Sequence, residues 1–258
     1  MACAIVGGLL SGGHAPADVV VVEPLQAQRD KLRKDFGVHA IRAADASLAG
    51  AGLVVWAVKP QLFAEAAAPC RAHVAGALHL SVMAGIRSDA IAAATGTGRV
   101  VRAMPNTPAL IGMGIAGLYA RPAVLPPDRA LVEQVLAPTG RLLWLRDEAD
   151  LDAVTALSGS GPAYVFYVVE AMIAAAQRMG LSAEDGKQLA LATVAGAAEL
   201  ARRASEPPEI LRERVTSKGG TTHAALSSLD ADGVKAAFVK AIEAAHRRAR
   251  ELGDEFGG

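Results

Sequence analysis

Cysteine is nearly missing from this chain of 258 residues. Cys3 and Cys70 are the only two and stand far apart, with no Cys-x-x-Cys, so neither a disulfide framework nor a zinc knuckle is supported and a reducing, cytoplasmic setting is expected. The histidines form no His-x-x-x-His pair, and no metal site is expected. Net charge is missing as well: 26 basic and 26 acidic residues cancel, leaving no basic face for nucleic acid. The longest apolar run, Gly161 to Ala176, is interrupted by Glu170 and falls short of the roughly 20 residues a bilayer span needs. Nor does the start carry the charged region, apolar core and cleavage site of a secretory signal. The expectation is a soluble protein with neither membrane nor nucleic-acid partners, long enough for one large domain or two modest ones.

Two is the reading the pattern favours. From residue 18 to about 146, short β-branched runs alternate with alanine-rich helical segments, the signature of βαβ units and a parallel sheet. Val19–Glu23, Val38–Ile41, Leu53–Val58, Ala77–Val82 and Arg99–Ala103 read as strands. Leu25–Phe36, Gln61–Val74 and Ile86–Thr95 read as helices between them, so the sheet is expected to be covered on both faces. Gly114–Tyr119 and Leu142–Leu145 add strands around a helix over Asp128–Leu136. The fold class is α/β: a Rossmann-like, doubly wound domain over residues 1–147. Beyond Asp147 long runs of Ala, Leu, Glu and Arg predict an all-helical domain over 148–258, with helices at Leu151–Gly180, Ala183–Ala204, Glu209–Val215, Thr222–Asp230 and Val234 to the tail. Ser158-Gly159-Ser160-Gly161-Pro162 is expected to break or kink the first of these. A second apolar face on Ala183–Leu200 predicts a dimer interface.

One part of a nucleotide-binding domain is absent from the sequence. Such a domain opens with a central strand and a Gly-x-Gly-x-x-Gly turn, after which a helix N-terminus receives the pyrophosphate. Here Met1–Leu10 reads as that helix, closed by Ser11-Gly12-Gly13. Gly96-Thr97-Gly98 precedes a strand instead of following one, so it does not fill the role. Losing a central strand would leave its two neighbours unpaired, at a cost large against total stabilities of about 5 to 15 kcal/mol. A misplaced start or a truncation is therefore expected.

The densest chemistry lies in Val215-Thr216-Ser217-Lys218-Gly219-Gly220-Thr221-Thr222-His223-Ala224-Ala225-Leu226. Hydroxyls and a glycine pair crowd the point where a helical pattern begins. Two glycines let successive N–H groups face one spot, and the positive end of the helix dipole suits a carboxylate or phosphate there. Taken alone, the segment also fits an ordinary loop with a threonine cap.

Five stretches in order resemble the pyrroline-5-carboxylate reductase family: Ala4-Ile5-Val6-Gly7-Gly8-Leu9, Ala57-Val58-Lys59-Pro60-Gln61, Val101 to Pro108 (with Met104-Pro105-Asn106-Thr107-Pro108), Ser158 to Phe166, and the Ser217 to Thr222 segment. The resemblance covers essentially the whole chain. It implies reduction of the cyclic imine Δ1-pyrroline-5-carboxylate to L-proline with NADPH or NADH, in a homodimer or a ring of dimers. It further implies that main-chain groups near Gly219, Gly220 and Thr221 hold the substrate carboxylate with help from Ser217. The Thr222 hydroxyl then faces the imine nitrogen as the catalytic group, and it orients and polarises because a threonine hydroxyl is a poor acid. Carried over in the same way, Ala57, Val58, Lys59 and Pro60 contact the cofactor, Met83, Ala84 and Gly85 pass near the nicotinamide, and Asn106 sits on a turn pinned by prolines. Lys218 departs from the proline that many relatives carry.

Glu23 is the residue that bears on cofactor choice. A carboxylate ending the second strand binds a ribose 2′-hydroxyl and repels a 2′-phosphate, which tilts the expectation towards NADH, although Arg29 or Lys31 is within reach of a phosphate. Two rival readings stand beside the first. A β-hydroxyacid dehydrogenase or related imine reductase would need a helical lysine as proton donor, for which Lys187 is the only stand-in. A non-catalytic carboxylate-binding protein would use the same cradle without turnover. Ser158–Gly161 lacks the glycine that a nucleophilic serine elbow requires. His223 reads as solvent-facing, and the basic stretch Ala244–Arg250 reads as a helix end complementing the dipole.

Overall fold

A computed structural model describes residues 1–256. They form two compact units, Met1–Ser160 together with the segment from Ala245 onward, and Gly161–Ala244.

The first unit is built on strands β1 (Val20–Val22), β2 (His39–Ile41), β3 (Leu53–Trp56), β4 (Leu78–Ser81), β5 (Val100–Met104), β6 (Gly114–Ala120) and β7 (Gly140–Trp144). Their helices are α1 (Ala2–Ser11), α2 (Gln26–Phe36), α3 (Phe63–Cys70), α4 (Ser88–Thr95), α5 (Pro126–Leu136) and α6 (Asp150–Val154). Strands β3 to β7 form one sheet in chain order, while β1 and β2 pair in parallel as a separate ribbon. Among the described residues, no ladder joins that ribbon to β3.

Alternation along the strands sorts the core into two layers. Leu78, Leu80, Val101, Ala103 and Leu118 pack with Ile5 of α1 and with Val132, Val135 and Leu136 of α5. Trp56 and Val100 pack with Phe63, Ala67 and Cys70 of α3 and Ile91 of α4. Both faces of the five-stranded sheet are thus covered, so that even His79 and Ser81 on the second face of β4 are buried.

Three expectations are corrected. The sheet is not wholly parallel: β6 runs antiparallel to β5, with Met104 opposite Gly117, and parallel to β7. The connection from Met104 to Gly114 holds only a 3-10 turn, Thr107–Ile111, which is too short for a parallel crossover. The helix expected over Gln61–Val74 starts as a 3-10 turn, Pro60–Leu62, and α3 ends at Cys70, one residue after Pro69, whose ring cannot donate to the ladder. The basic stretch Ala244–Arg250 is not a helix end, because helix α11 (Val234–Phe256) runs past it. Arg248 there donates to Glu255 at 2.7 Å and Glu251 at 3.1 Å. The final two residues of the expected tail helix and of the range 148–258 lie outside the described residues.

Between the units of sequence, α6 passes into a π-helical turn, Thr155–Gly159, and then α7 (Gly161–Arg178) begins, so the Ser158–Pro162 stretch does interrupt the helix. Gly159 has no side chain to clash with Met104, whose methyl would lie 2.9 Å from a Cβ there. The second unit contains α7, α8 (Ala183–Arg203), α9 (Pro208–Arg214), α10 (Thr221–Ala231) and the first part of α11. Ser182 caps α8 by accepting the Asp185 N–H at 3.0 Å. Tyr164 and Phe238 meet edge to face at 6.0 Å.

Candidate active site

Register places the first group of candidates. Trp56 lies opposite Ser81, and Ser81 opposite Arg102, so β3 and β4 end level while β5 runs two residues further, to Met104. The chain leaving them carries Ala57–Pro60, Val82–Gly85 and Met104–Asn106 respectively, and these segments stand side by side at the C-terminal edge of the sheet, where ligands of such folds bind. The Val82 N–H donates to the Trp56 carbonyl at 3.0 Å, tying two of the segments together. Ala57 and Lys59 are exposed, whereas Met83 is buried in the core below them. Asn106 is half-buried, and its Oδ1 accepts the Ile115 N–H at 3.0 Å, which fixes the turn from β5 to β6. An apolar floor beside exposed main chain fits the flat ring of a nicotinamide. Helix α1 begins at Ala2 with Met1 as its N-cap residue and no side-chain cap.

Glu23 follows β1, and its N–H donates to the Ile41 carbonyl at 2.9 Å. Its carboxylate accepts the Leu25 N–H at 2.8 Å and so folds over its own turn. Arg29 does not extend as a free cation. It is buried, donating to the Glu23 carbonyl at 2.7 Å and to the Gln26 side chain.

The second group lies in the second unit. The Gly220 N–H closes a turn onto the Ser217 carbonyl at 3.0 Å, and Gly219 takes φ +76, a left-handed conformation that glycine adopts without strain. A side chain on Gly220 would begin 2.6 Å from Ser217 Oγ, so the missing Cβ is the space that hydroxyl occupies. Helix α10 starts at once, and its first backbone bond is Ala224 N–H to the Gly220 carbonyl at 3.1 Å. The N–H groups of Thr221, Thr222 and His223 precede that bond at the positive end of the dipole, with no side-chain cap. Thr222 is half-buried and His223 exposed. Three N–H groups without a bond inside the helix thus open α10, with the Ser217 hydroxyl in the turn just before them.

Comparison with known proteins identifies the family. A family model described as "Pyrroline-5-carboxylate reductase dimerisation" matches residues 148–252, and one described as "NADP oxidoreductase coenzyme F420-dependent" matches residues 1–85. The chain is 41% identical to the pyrroline-5-carboxylate reductase of Pseudomonas aeruginosa, over 100% of its own length and 95% of the relative's. It is 37% identical to that of Haemophilus influenzae, over 98% and 94%. The chain belongs to the pyrroline-5-carboxylate reductase family. A solved reductase from Coxiella burnetii superposes with a TM-score of 0.89 at 34% identity, covering 97% of this chain and 94% of that one. The Plasmodium falciparum reductase, solved with NADP bound, gives 0.86 at 26% identity, covering 97% and 93%.

Around the reductase-like strand ends, the structure shows groups that spacing alone did not reveal. Arg102 on buried β5 donates to Glu148 at 2.7 Å. Glu148 also accepts the Ser88 N–H at 2.6 Å and the Ser88 hydroxyl at 2.5 Å, anchoring the start of α4. Arg121 completes the set by donating to Ser88 Oγ at 3.2 Å. An arginine within Val100–Met104 was itself a signal, since a charge in a buried strand demands a partner. Nothing in the sequence named Glu148 as that partner. His79, fully buried on β4, accepts the Trp56 Nε1–H at 2.9 Å through Nδ1, so its neutral ring carries the proton on Nε2. Burial pushes its pKa below the ordinary 6.5; the Val74 carbonyl opposes this and Arg99 adds to it. Lys187 is exposed on α8.

Proposed function

We propose that this protein reduces Δ1-pyrroline-5-carboxylate to L-proline with hydride from NADPH or NADH, the last step of proline biosynthesis. The seat at Ser217–Thr222 carries the reading. It joins a glycine turn, a buttressing hydroxyl and the open N-terminus of α10, and it suits a small carboxylate. Membership of the reductase family supports the same substrate.

The roles divide as follows. The dinucleotide supplies the hydride. Residues 1–147 form its domain, with Ala57–Pro60, Met83–Gly85 and Asn106 lining its nicotinamide end and Glu23 its ribose. Residues 148–258 form the substrate and dimerisation domain. Main-chain N–H groups at Gly219 to Thr222 bind the carboxylate, and Ser217 assists. Hydride addition to the imine carbon leaves electron density on nitrogen, which ends as an amine. Thr222 orients that nitrogen, donating to it while the imine is neutral and the proton comes from solvent, or accepting its N–H where the imine is already protonated. Most of the acceleration comes from positioning, which contributes roughly 7 to 11 kcal/mol in well-oriented systems. The Glu23 carboxylate tilts selection towards NADH, and the occupation of Arg29 by Glu23 and Gln26 supports that tilt. The working form is a dimer, or a ring of dimers, assembled through the C-terminal helices in the cytoplasm. No helix among the described residues is long and apolar enough to cross a membrane. The rival dehydrogenase reading lacks support, because its group does not carry Ser-Lys-Gly-Gly-Thr-Thr.

Loss of reduced-nicotinamide absorbance with pyrroline-5-carboxylate tests the reading. An inactive parent overturns the function. A Thr222→Ala variant as fast as its parent overturns the role given to that hydroxyl.

A further inference from the structure

The loop from β4 to α4, Val82–Arg87, is fastened by parts of the chain remote in sequence. At its far end stands the Ser88–Glu148 anchor described above. Against its middle, at Gly85, and against Arg87 stand the last turns of α11, which belong to the same compact unit. Gly85 takes φ +77, and a Cβ there would lie 3.0 Å from the Leu252 carbonyl oxygen and 3.3 Å from the Phe256 ring. The two backbones therefore touch where no side chain intervenes. Gly253 repeats the arrangement from the other side, because a Cβ on it would meet the Arg87 guanidinium at 3.0 Å. That guanidinium donates to Asp254 Oδ1 at 2.7 Å. Phe256 packs against the cluster that holds Met83 and Ile86, the residues flanking Ala84 and Gly85.

Phe256 contributes apolar burial, but the ion pair and the glycine contacts are poorly explained by stability alone. The Arg87–Asp254 pair leaves the aspartate 76% exposed, and ion pairs that open to solvent contribute little. Two glycines in contact positions bury almost no side chain. What the contacts do is geometric: they set where the Met83–Gly85 main chain stands above the edge of the sheet.

We propose that the end of α11, Leu252–Phe256, is a positioning element for the dinucleotide. It holds the Met83–Gly85 main chain at the height from which it meets the nicotinamide, and Gly253 and Asp254 act through Arg87. The inference rests on the assignment of Met83–Gly85 to the nicotinamide end of the cofactor.

Gly253→Val places a branched side chain in the path of the Arg87 guanidinium and displaces it from Asp254, so it tests the element without touching the loop backbone itself. The readouts are the dissociation constant of NADH and of NADPH, followed by their fluorescence, and the KM for the imine. The expected result is dinucleotide binding weakened at least about fivefold with the imine KM within about twofold of the parent, since small misplacements weaken positioned contacts. Once Arg87 is alanine, Gly253→Val costs nothing further, because its effect passes through that side chain. Unchanged binding in Gly253→Val, equal losses for dinucleotide and imine, or simple additivity with Arg87→Ala overturns the proposal. Should Gly253→Val fail to fold, Asp254→Ala keeps the glycine contacts and must still weaken dinucleotide binding; parent-like binding overturns the proposal. A parent that binds no dinucleotide removes the cofactor assignment and the proposal with it, whereas a parent that binds beside indifferent variants removes the proposal alone.

Discussion

The two compact units hide their apolar side chains to different degrees. In the first, the β4 residues Leu78, His79, Leu80 and Ser81 are all buried, and two buried charges have ionic partners, Asp128 with Arg99 at 2.6 Å and Arg102 with Glu148 at 2.7 Å. In the second, Phe166 is 59% exposed and Tyr167 72%, with Leu189, Leu200 and Val239 also open. Its fully buried positions are few and mostly small, such as Ala176 and Ala190. One unit closes around its own core. The other leaves large apolar side chains open to solvent, which fits the dimerisation model that matches residues 148–252.

The sharpest way to break this contrast is Phe166→Glu. Burying such a ring is worth roughly 1.5 to 3 kcal/mol, and an isologous interface counts it twice, so association should weaken by roughly 3 to 6 kcal/mol. Sedimentation should show a monomer, and an unchanged dimer would remove the interface from α7. Next comes Glu148→Ala, which leaves buried Arg102 without its partner and should cost about 3 kcal/mol of the first unit's stability. That loss should be independent of protein concentration, in contrast to Phe166→Glu, and thermal melts over a dilution series separate the two. Thr222→Ala should lower kcat/KM roughly 10- to 100-fold, as expected for a hydrogen bond of about 1.5 to 3 kcal/mol to a charged group, without moving either melt.

A smaller effect follows from His79. Its folded pKa lies below the 6.5 of the free side chain, so the unfolded chain takes up the proton first as pH falls. Stability is full above 6.5 and drains away as pH drops towards the depressed folded value. His79→Gln should flatten that slope in melts between pH 7 and 5, and an unchanged slope would assign it to other groups. The smallest expected change is in cofactor choice. Glu23→Ala should lower the ratio of NADH to NADPH efficiency by a few fold, roughly one lost hydrogen bond's worth, and a parent with strong NADPH preference would remove the argument.

Much of this was legible in sequence because the signals are local. Hydrophobic period and β-branched runs located each described strand to within a few residues, and the crowding of Ser217, Gly219, Gly220 and Thr222 marked the place where a glycine turn leads into α10. Strand direction was not legible, since Gly114–Ala120 has the same alternation whichever way it runs; only the missing crossover helix hinted at reversal. Partners across long separations were equally hidden. Glu148 meets Ser88 over 60 positions and Asp254 meets Arg87 over 167, and no periodicity carries such information.

That last separation bears on how the protein is made. The nucleotide-binding unit is interrupted by the whole helical unit, and Phe256 lies in the same cluster as Ile86. A ribosome adding roughly 5 to 20 residues per second leaves the sheet waiting on the order of ten seconds for its final strap. During that interval the half-built cluster around Trp56 and Met83 stands open, and a chaperone that shields it would matter more for yield than for the finished enzyme.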